Sequence, residues 1–105
     1  MDLHEENARL VELLGRYLEG VVDHREMSEF AWRVIDYFSS RDVSELPPVQ
    51  PFEQEFWHAI WEIQHLADEE HWKDGVTQRT LAEALAYLKG DKPMPAEYRC
   101  FRGRP

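Results

Sequence analysis

Apolar residues recur with the period of an α-helix between Asp23 and Ser39, and this periodicity constrains the fold more than any other feature of the sequence. Their spacing of i, i+3, i+4, i+7 and i+11 places the side chains on one face of a helix. Asp23 and Glu26 stand at the spacing of a capping box, so the helix is predicted to begin there. The apolar face comprises Met27, Phe30, Ala31, Val34 and Phe38.

A second amphipathic segment precedes this one. Asp2 and Glu5 form another capping-box pattern, and Gly20 suits the left-handed position that ends a helix. The connection from Gly20 to Asp23 is short, so the two helices are predicted to pack side by side and antiparallel. The apolar positions of this first helix are Leu10, Leu14, Tyr17, Leu18 and Val21.

Prolines interrupt the helical pattern after the second helix. The sequence Leu46-Pro-Pro-Val-Gln-Pro51 cannot continue a helix, because each proline lacks an N–H donor and clashes with the preceding turn. Pro51 is nevertheless suited to the first turn of a new helix. A third helix is therefore predicted from near Phe52 to about Ala67, or as far as Trp72.

A fourth helix is predicted after Asp74-Gly75, with Thr77 as its N-cap and Gly90 at its end. Four amphipathic helices with short connections are typical of an all-α fold, a small antiparallel four-helix bundle. Residues 1–90 are assigned to this single domain, since a chain of 105 residues has material for one core. Residues 91–105 contain three prolines and are predicted to form an extended, basic C-terminal tail.

Charge is distributed unevenly along the chain, whose net charge is −9. Residues 42–72 hold eight acids and no Lys or Arg, whereas residues 89–105 hold five Lys or Arg and two acids. Such an acidic body repels nucleic acid and attracts basic protein partners. Direct nucleic-acid binding is therefore not expected, and a basic protein is the expected partner.

The compartment is predicted from features at the amino terminus and from cysteine usage. Residues 1–6 lack the basic and apolar parts of a signal peptide, and no apolar run approaches the roughly 18 residues of a membrane span. Cys100 is the single cysteine, which excludes a disulfide framework. A cytoplasmic protein without membrane association is predicted, and its oligomeric state is left open.

Histidines on the third helix suggest a metal site as one hypothesis. His58, Glu62, His65 and Glu69 fall within about 60° of one another on a helix, and Glu62-x-x-His65 is a half-motif of carboxylate-bridged metal bundles. The predicted core face of this helix lies roughly 140° away, whereas such ligands project into a bundle. For these histidines and glutamates a solvated polar face is favoured, with no metal or cofactor.

The alternative is a metal-binding bundle that uses His58, Glu62, His65 and His71. The predicted core face comprises Phe52, Phe56, Ala59, Ile60, Ile63, Leu66 and Ala67.

Trp57 and Trp61 lie on the flank between the predicted core face and the histidines. If the third helix touches two neighbours, its buried arc is wide and the indoles belong to the core. If part of the flank is exposed, a tryptophan among acids is typical of a partner-binding hot spot. A structural subunit that self-associates through these two residues is a further alternative.

Catalytic patterns are absent from the sequence. It contains no Gly-rich phosphate loop, no GxSxG elbow and no cysteine–histidine pairing with a supporting acid. Cys100 stands between cations in Tyr98-Arg-Cys-Phe-Arg102, yet a free thiol in a tail is the simpler interpretation. The chain is therefore predicted not to be an enzyme.

Two segments of the chain resemble a known family. The stretch from Leu10 to Phe30, LVELLGRYLEGVVDHREMSEF, is similar to the opening of colicin D-type immunity proteins, and GVTQRTLAEALAYL from Gly75 to Leu88 is similar to their final helix. The resemblance implies a small four-helix bundle that binds the C-terminal nuclease domain of a toxin, a tRNA-cleaving one in the type case. It also implies that negative charge on the immunity protein occupies the basic site meant for RNA.

The acid excess and the resemblance together predict a partner-binding surface on and after the third helix. Carboxylates can stand in for phosphates opposite Lys and Arg, which accelerates encounter and blocks the substrate. Trp61 and Trp72 are the predicted anchors of this surface. Its predicted charged contacts are Glu62, Asp68, Glu69, Glu70 and Asp74.

Overall fold

The protein is all-α in the part of the chain that the computed structural model describes, which is residues 1–67, 75–99 and 103–105. Four long helices form a bundle, as predicted. A 3-10 turn and a one-turn helix accompany them. The elements are α1 (Leu3–Leu18), α2 (His24–Ser39), the 3-10 turn Val43–Glu45, α3 (Glu53–Ala67), α4 (Gly75–Lys89) and α5 (Ala96–Arg99).

Local capping residues set the limits of α1 and α2. The Asp2 carboxylate accepts a hydrogen bond from the His4 N–H at 2.9 Å, and the Asp23 carboxylate accepts from the N–H groups of Arg25 and Glu26, the second and third residues of α2. Gly20 has φ +80°, and the hydrogen bonds around it complete a Schellman motif at the end of α1. The predicted starts of both helices and the predicted end of α1 are confirmed.

Contacts between helices show that neighbours in sequence run antiparallel. Glu6, near the start of α1, bonds Arg33 in the second half of α2. The Phe38 ring near the end of α2 makes an edge contact with Trp57 near the start of α3, at 5.0 Å between centroids. Each long helix packs against two others, because α1 also contacts α4 and α3 also contacts α4. The four helices therefore enclose one core.

The core is filled from all four helices. Of the predicted core face of α3, five of the six residues whose side chains are described are buried, namely Phe56, Ala59, Ile60, Ile63 and Leu66. Phe52 is half-buried and packs against them. Other helices contribute Leu10, Leu14, Met27, Ala31, Val34, Phe38, Leu81 and Ala84.

Two sequence predictions about the second half of the chain are wrong. Thr77 does not cap α4, because the helix begins at Gly75 and Thr77 is already inside it with its side chain buried. The tail is not simply extended, because α5 packs against α3 and Met94 is buried. Among the described residues, no helix is both long and apolar enough to cross a membrane.

Candidate functional site

Glu53, the first residue of α3, carries a carboxylate that is buried at the end of the bundle where α2 finishes. Its relative exposure is 2 %. Its Oε2 atom accepts a hydrogen bond from the Gln50 N–H at 2.5 Å, and the Glu53 N–H donates back to the Gln50 carbonyl at 3.1 Å. Trp57, one turn further along, donates its indole N–H to Oε1 at 3.1 Å. These contacts fix the orientation of both carboxylate oxygens.

Arg104 completes this arrangement from the far end of the chain. Its Nε and Nη2 atoms donate to the two oxygens of Glu53 at 2.6 and 2.9 Å, which is a bidentate ion pair. The guanidinium carbon lies 5.2 Å from the centroid of the Phe38 ring. One residue earlier, the Gly103 carbonyl accepts the Trp61 indole N–H at 2.8 Å. Residues 103 and 104 are thus held on α3 at two points.

The pKa of Glu53 reflects two opposing effects. Burial raises the pKa, but hydrogen bonds from Arg104, Gln50 and Trp57 stabilise the charged form, and the net result is a pKa below the ordinary value. Glu53 therefore stays ionised although it is buried. A buried carboxylate that is kept charged in this way favours a cationic neighbour strongly.

A cavity of about 290 Å³ adjoins the ion pair. One side is formed by Glu53 and Trp57 of α3 with Arg104, and another by Tyr98 of α5 and Gly103. Val49 and Gln54 complete its lining. The cavity therefore combines aromatic and apolar walls with the ion pair of Glu53 and Arg104, so its one buried carboxylate is already matched by a guanidinium.

His58 lies on a neighbouring face of α3 and is half-buried rather than solvated. Its ring stacks on Tyr98 with centroids 5.1 Å apart and planes at 12°, and it contacts Tyr87 of α4 at 5.8 Å. Burial lowers the pKa of His58, while the negative charges of Glu62, Glu55 and Glu83 oppose that shift. The prediction of a solvated face is wrong for His58, because α4 and α5 cover its ring.

Acids from two packed helices act on His58 electrostatically. Glu55 and Glu62 of α3 and Glu83 of α4 all act on His58. We call these three residues the α3–α4 acidic face. Lys92 approaches Glu83 at 3.5 Å in an exposed ion pair.

The predicted partner-binding residues divide into two groups. Within the described part of the chain, Glu62 belongs to the α3–α4 acidic face, and Trp61 is half-buried, packed against the core and bonded to Gly103. Trp57, the subject of two competing interpretations, is a core residue. The remaining predicted contacts lie outside the described residues, namely Asp68, Glu69, Glu70, Trp72 and Asp74.

The residues of the metal hypothesis are likewise only partly described. His65 is exposed, as predicted, and His58 is covered by two tyrosines. His71 lies outside the described residues. Within residues 1–67, 75–99 and 103–105, no group of three His, Cys, Asp or Glu side chains is arranged to hold a metal ion.

Sequence reasoning missed the pair of Glu53 and Arg104. A Glu in the first turn of a helix is ordinary, and only Trp57 at i+4 signals that the Glu53 carboxylate is buried with a donor beside it.

The exposed position of Trp32 was not predicted from the sequence either. Its side chain is 42 % exposed on α2, where helical spacing puts Glu29 and Asp36 on adjacent turns.

Comparison with known proteins found no matching protein-family model, no matching curated protein and no matching solved structure. The resemblance to colicin D-type immunity proteins stays a prediction from sequence pattern. Function is accordingly inferred from the charges and contacts of the described residues.

Proposed function

We propose that this chain is a non-enzymatic protein-binding module that docks a basic protein partner through the α3–α4 acidic face. The proposal rests on the packing of α3 against α4, where His58 of α3 contacts Tyr87 of α4, and on the three acids of these helices whose negative charges act on His58, namely Glu55, Glu62 and Glu83. Two packed helices thus carry negative charge on neighbouring surfaces, which suits recognition of Lys and Arg on a partner.

The distribution of arginines supports this choice of face. In α1, Glu12 pairs with Arg16, and Glu6 pairs with Arg9 and with Arg33 of α2. The sequence of α3 contains no Lys or Arg. The sequence of α3 therefore carries more formal negative charge than that of α1, which favours the approach of a cationic partner. Two of the acids in this region have a basic partner, since Arg104 pairs with Glu53 and Lys92 with Glu83.

The partner class that we propose is the basic nuclease domain of a bacterial toxin, as the resemblance to immunity proteins implies. A nuclease binds the phosphates of RNA with Lys and Arg, and a rigid set of carboxylates competes for the same cations. Inhibition then needs no chemistry from this chain. The acids Asp68, Glu69, Glu70 and Asp74, which lie outside the described residues, remain predicted contacts for the same partner.

The experiment begins with the reading frame beside the gene for this chain. If that frame ends in a domain rich in Lys and Arg, the domain is purified and its cleavage of tRNA is measured with and without this chain. We expect a stoichiometric complex, loss of cleavage and an association rate that falls steeply with salt. A neighbouring frame without such a domain, or undiminished cleavage with this chain in excess, would contradict the proposal.

A matched pair of variants then tests the face itself. The first replaces Glu55, Glu62 and Glu83 by Lys, and the control replaces Glu19, Glu29 and Glu45, which are exposed on other elements. Both variants carry the same net charge, so a difference between them reports where the charge lies. The first should associate at least about tenfold more slowly at low salt than the control. Equal association rates for the two variants would show that only net charge matters, and would rule out the α3–α4 acidic face as the docking surface.

A further inference from the structure

We infer that the Glu53 carboxylate, with Trp57 and Phe38 beside it, forms an arginine-binding site, which Arg104 occupies in the isolated chain and which an arginine of a protein partner can occupy instead. The identity of that partner as a basic protein rests on the proposed function above. The site itself rests on the geometry of Glu53, Trp57 and Phe38. The ligand class is a guanidinium group on a short peptide segment.

The receptor side of the site is built independently of Arg104. Gln50 and Trp57 each donate one hydrogen bond to the Glu53 carboxylate, so both oxygens are oriented before any guanidinium arrives. The Phe38 ring is fixed by its edge contact with Trp57. A cation that enters therefore meets a preorganised charge and an aromatic face, which lowers the cost of binding.

Arginine suits this site better than lysine does. Its planar fork places Nε and Nη2 opposite the two carboxylate oxygens, as Arg104 does at 2.6 and 2.9 Å. A lysine ammonium is a point charge that cannot form two parallel bonds of this kind. The site should therefore discriminate between the two cations.

The contacts of residues 103–105 make exchange feasible. The backbone of this stretch is held through the Gly103 carbonyl, and its only large side chain is that of Arg104. The Arg104 side chain keeps 18 % of its surface exposed, and the adjoining cavity of about 290 Å³ gives room beside it. An incoming arginine competes with an intramolecular one, which is favoured because it belongs to the same chain.

The test uses the full chain with Arg104→Ala and the peptide acetyl-Gly-Arg-Pro-amide as the probe. Binding is followed by NMR through the Trp57 indole N–H, which bonds the Glu53 carboxylate. We expect saturable binding to this variant and at least about tenfold weaker binding to the wild type, where Arg104 competes. Arg16→Ala, which removes an exposed arginine of α1, is the matched control and should behave as the wild type does.

Two further arms test the chemistry of the site. Adding Glu53→Gln to Arg104→Ala should abolish the shift of the Trp57 signal, and the peptide with Lys in place of Arg should bind at least about tenfold more weakly. No shift in folded Arg104→Ala at any peptide concentration would overturn the inference. So would a shift of equal size in the wild type, or one that survives Glu53→Gln.

A measurement on the wild type covers the case in which Arg104→Ala fails to fold. The Arg104 Nε–H signal should move toward that of a solvated arginine when the peptide is added in excess, because the bond to Glu53 is exchanged. An unchanged signal would overturn the inference. None of these arms contains the basic partner, so the arginine site can fail while the proposed function stands. Conversely, the peptide can bind as expected while charge reversal on α3 and α4 leaves association with the basic partner unchanged. That result would contradict only the proposed function.

Discussion

The guanidinium of Arg104 binds the carboxylate of Glu53 through two hydrogen bonds across 51 positions of the sequence. This pair joins the last described residues to the first turn of α3, beside the core residues Phe38 and Trp57. The positive charge of Arg104 near the end of the chain therefore takes part in the fold. Its contribution to stability can be measured directly.

Arg104→Ala should lower the free energy of unfolding by about 2 kcal/mol, because it leaves a nearly buried carboxylate with two of its four hydrogen bonds. Chemical denaturation measures this loss. Lys89→Ala is the matched control, since Lys89 pairs with Asp91 at 3.7 Å where both side chains are exposed. That control should change stability by no more than about 0.5 kcal/mol.

A double-mutant cycle separates the ion pair from other effects of the truncation. Glu53→Gln combined with Arg104→Ala should cost less than the sum of the two single changes, because the buried charge is gone as well. If the changes in the free energy of unfolding were strictly additive, the two side chains would not interact in solution. Any loss of stability in Arg104→Ala would then need another cause.

The pKa of Glu53 should rise when Arg104 is replaced by alanine. In the wild type, burial raises this pKa, but the hydrogen bonds from Arg104 and its neighbours outweigh burial and hold it below the ordinary 4.5. The folded state then binds the proton less readily than the unfolded chain, so this stability is present above 4.5 and is lost as the pH falls below it. A carbon-13 NMR titration of the Glu53 carboxyl group measures the shift. A pKa that is unchanged in Arg104→Ala would contradict the assigned cause.

His58 should make the fold less stable in mild acid. Burial lowers its pKa below the ordinary 6.5, while Glu62, Glu55 and Glu83 moderate that shift, and Tyr87 and Tyr98 cover the ring. The unfolded chain therefore takes up the proton first, so stability is full above 6.5 and falls as the pH drops through 6.5 toward the lower folded value. Thermal unfolding of wild type and His58→Gln across this range tests the effect, which the variant should lack.

A matched change at Glu83 tests the electrostatic part of the same prediction. Glu83→Gln removes one of the negative charges that favour protonated His58, so the pKa of His58 should fall further. Proton NMR of the imidazole ring measures it. Glu19→Gln, on an exposed carboxylate after α1, should leave the titration unchanged. A rise in Glu83→Gln would contradict the arrangement of the α3–α4 acidic face.

The limits of α1 and α2 could be predicted because they depend on local signals. Asp2, Asp23 and Gly20 act on backbone groups only a few residues away, and a single sequence contains all of that information. Thr77 carries the same kind of signal, but α4 begins before it and its side chain is buried. Packing of α4 against α1 and α3 overrides a capping preference worth about 1 kcal/mol.

The candidate site could be predicted only in part, for a related reason. Helical periodicity located Trp57 and Glu62 on α3 correctly, but it gives no information on what covers that helix from outside. His58 was assigned to a solvated face because periodicity does not include α5, whose Tyr98 stacks on its ring. The pairing of Glu53 with Arg104 depends on the tail folding back over 51 positions, which no local pattern encodes.

Two glycines of the first thirty residues should respond to alanine in opposite directions. Neither Gly15 nor Gly20 has any neighbouring atom within 4 Å of an added Cβ, so steric overlap with other residues does not distinguish them. Gly15 lies inside α1, and Gly15→Ala should stabilise the protein by about 0.5 kcal/mol, because alanine loses less backbone entropy in a helix. Gly20 has φ +80°, where a Cβ approaches its own carbonyl, so Gly20→Ala should destabilise by about 1 kcal/mol. Thermal and chemical unfolding of both variants gives the two signs, and equal effects at the two positions would contradict the Schellman geometry at the end of α1.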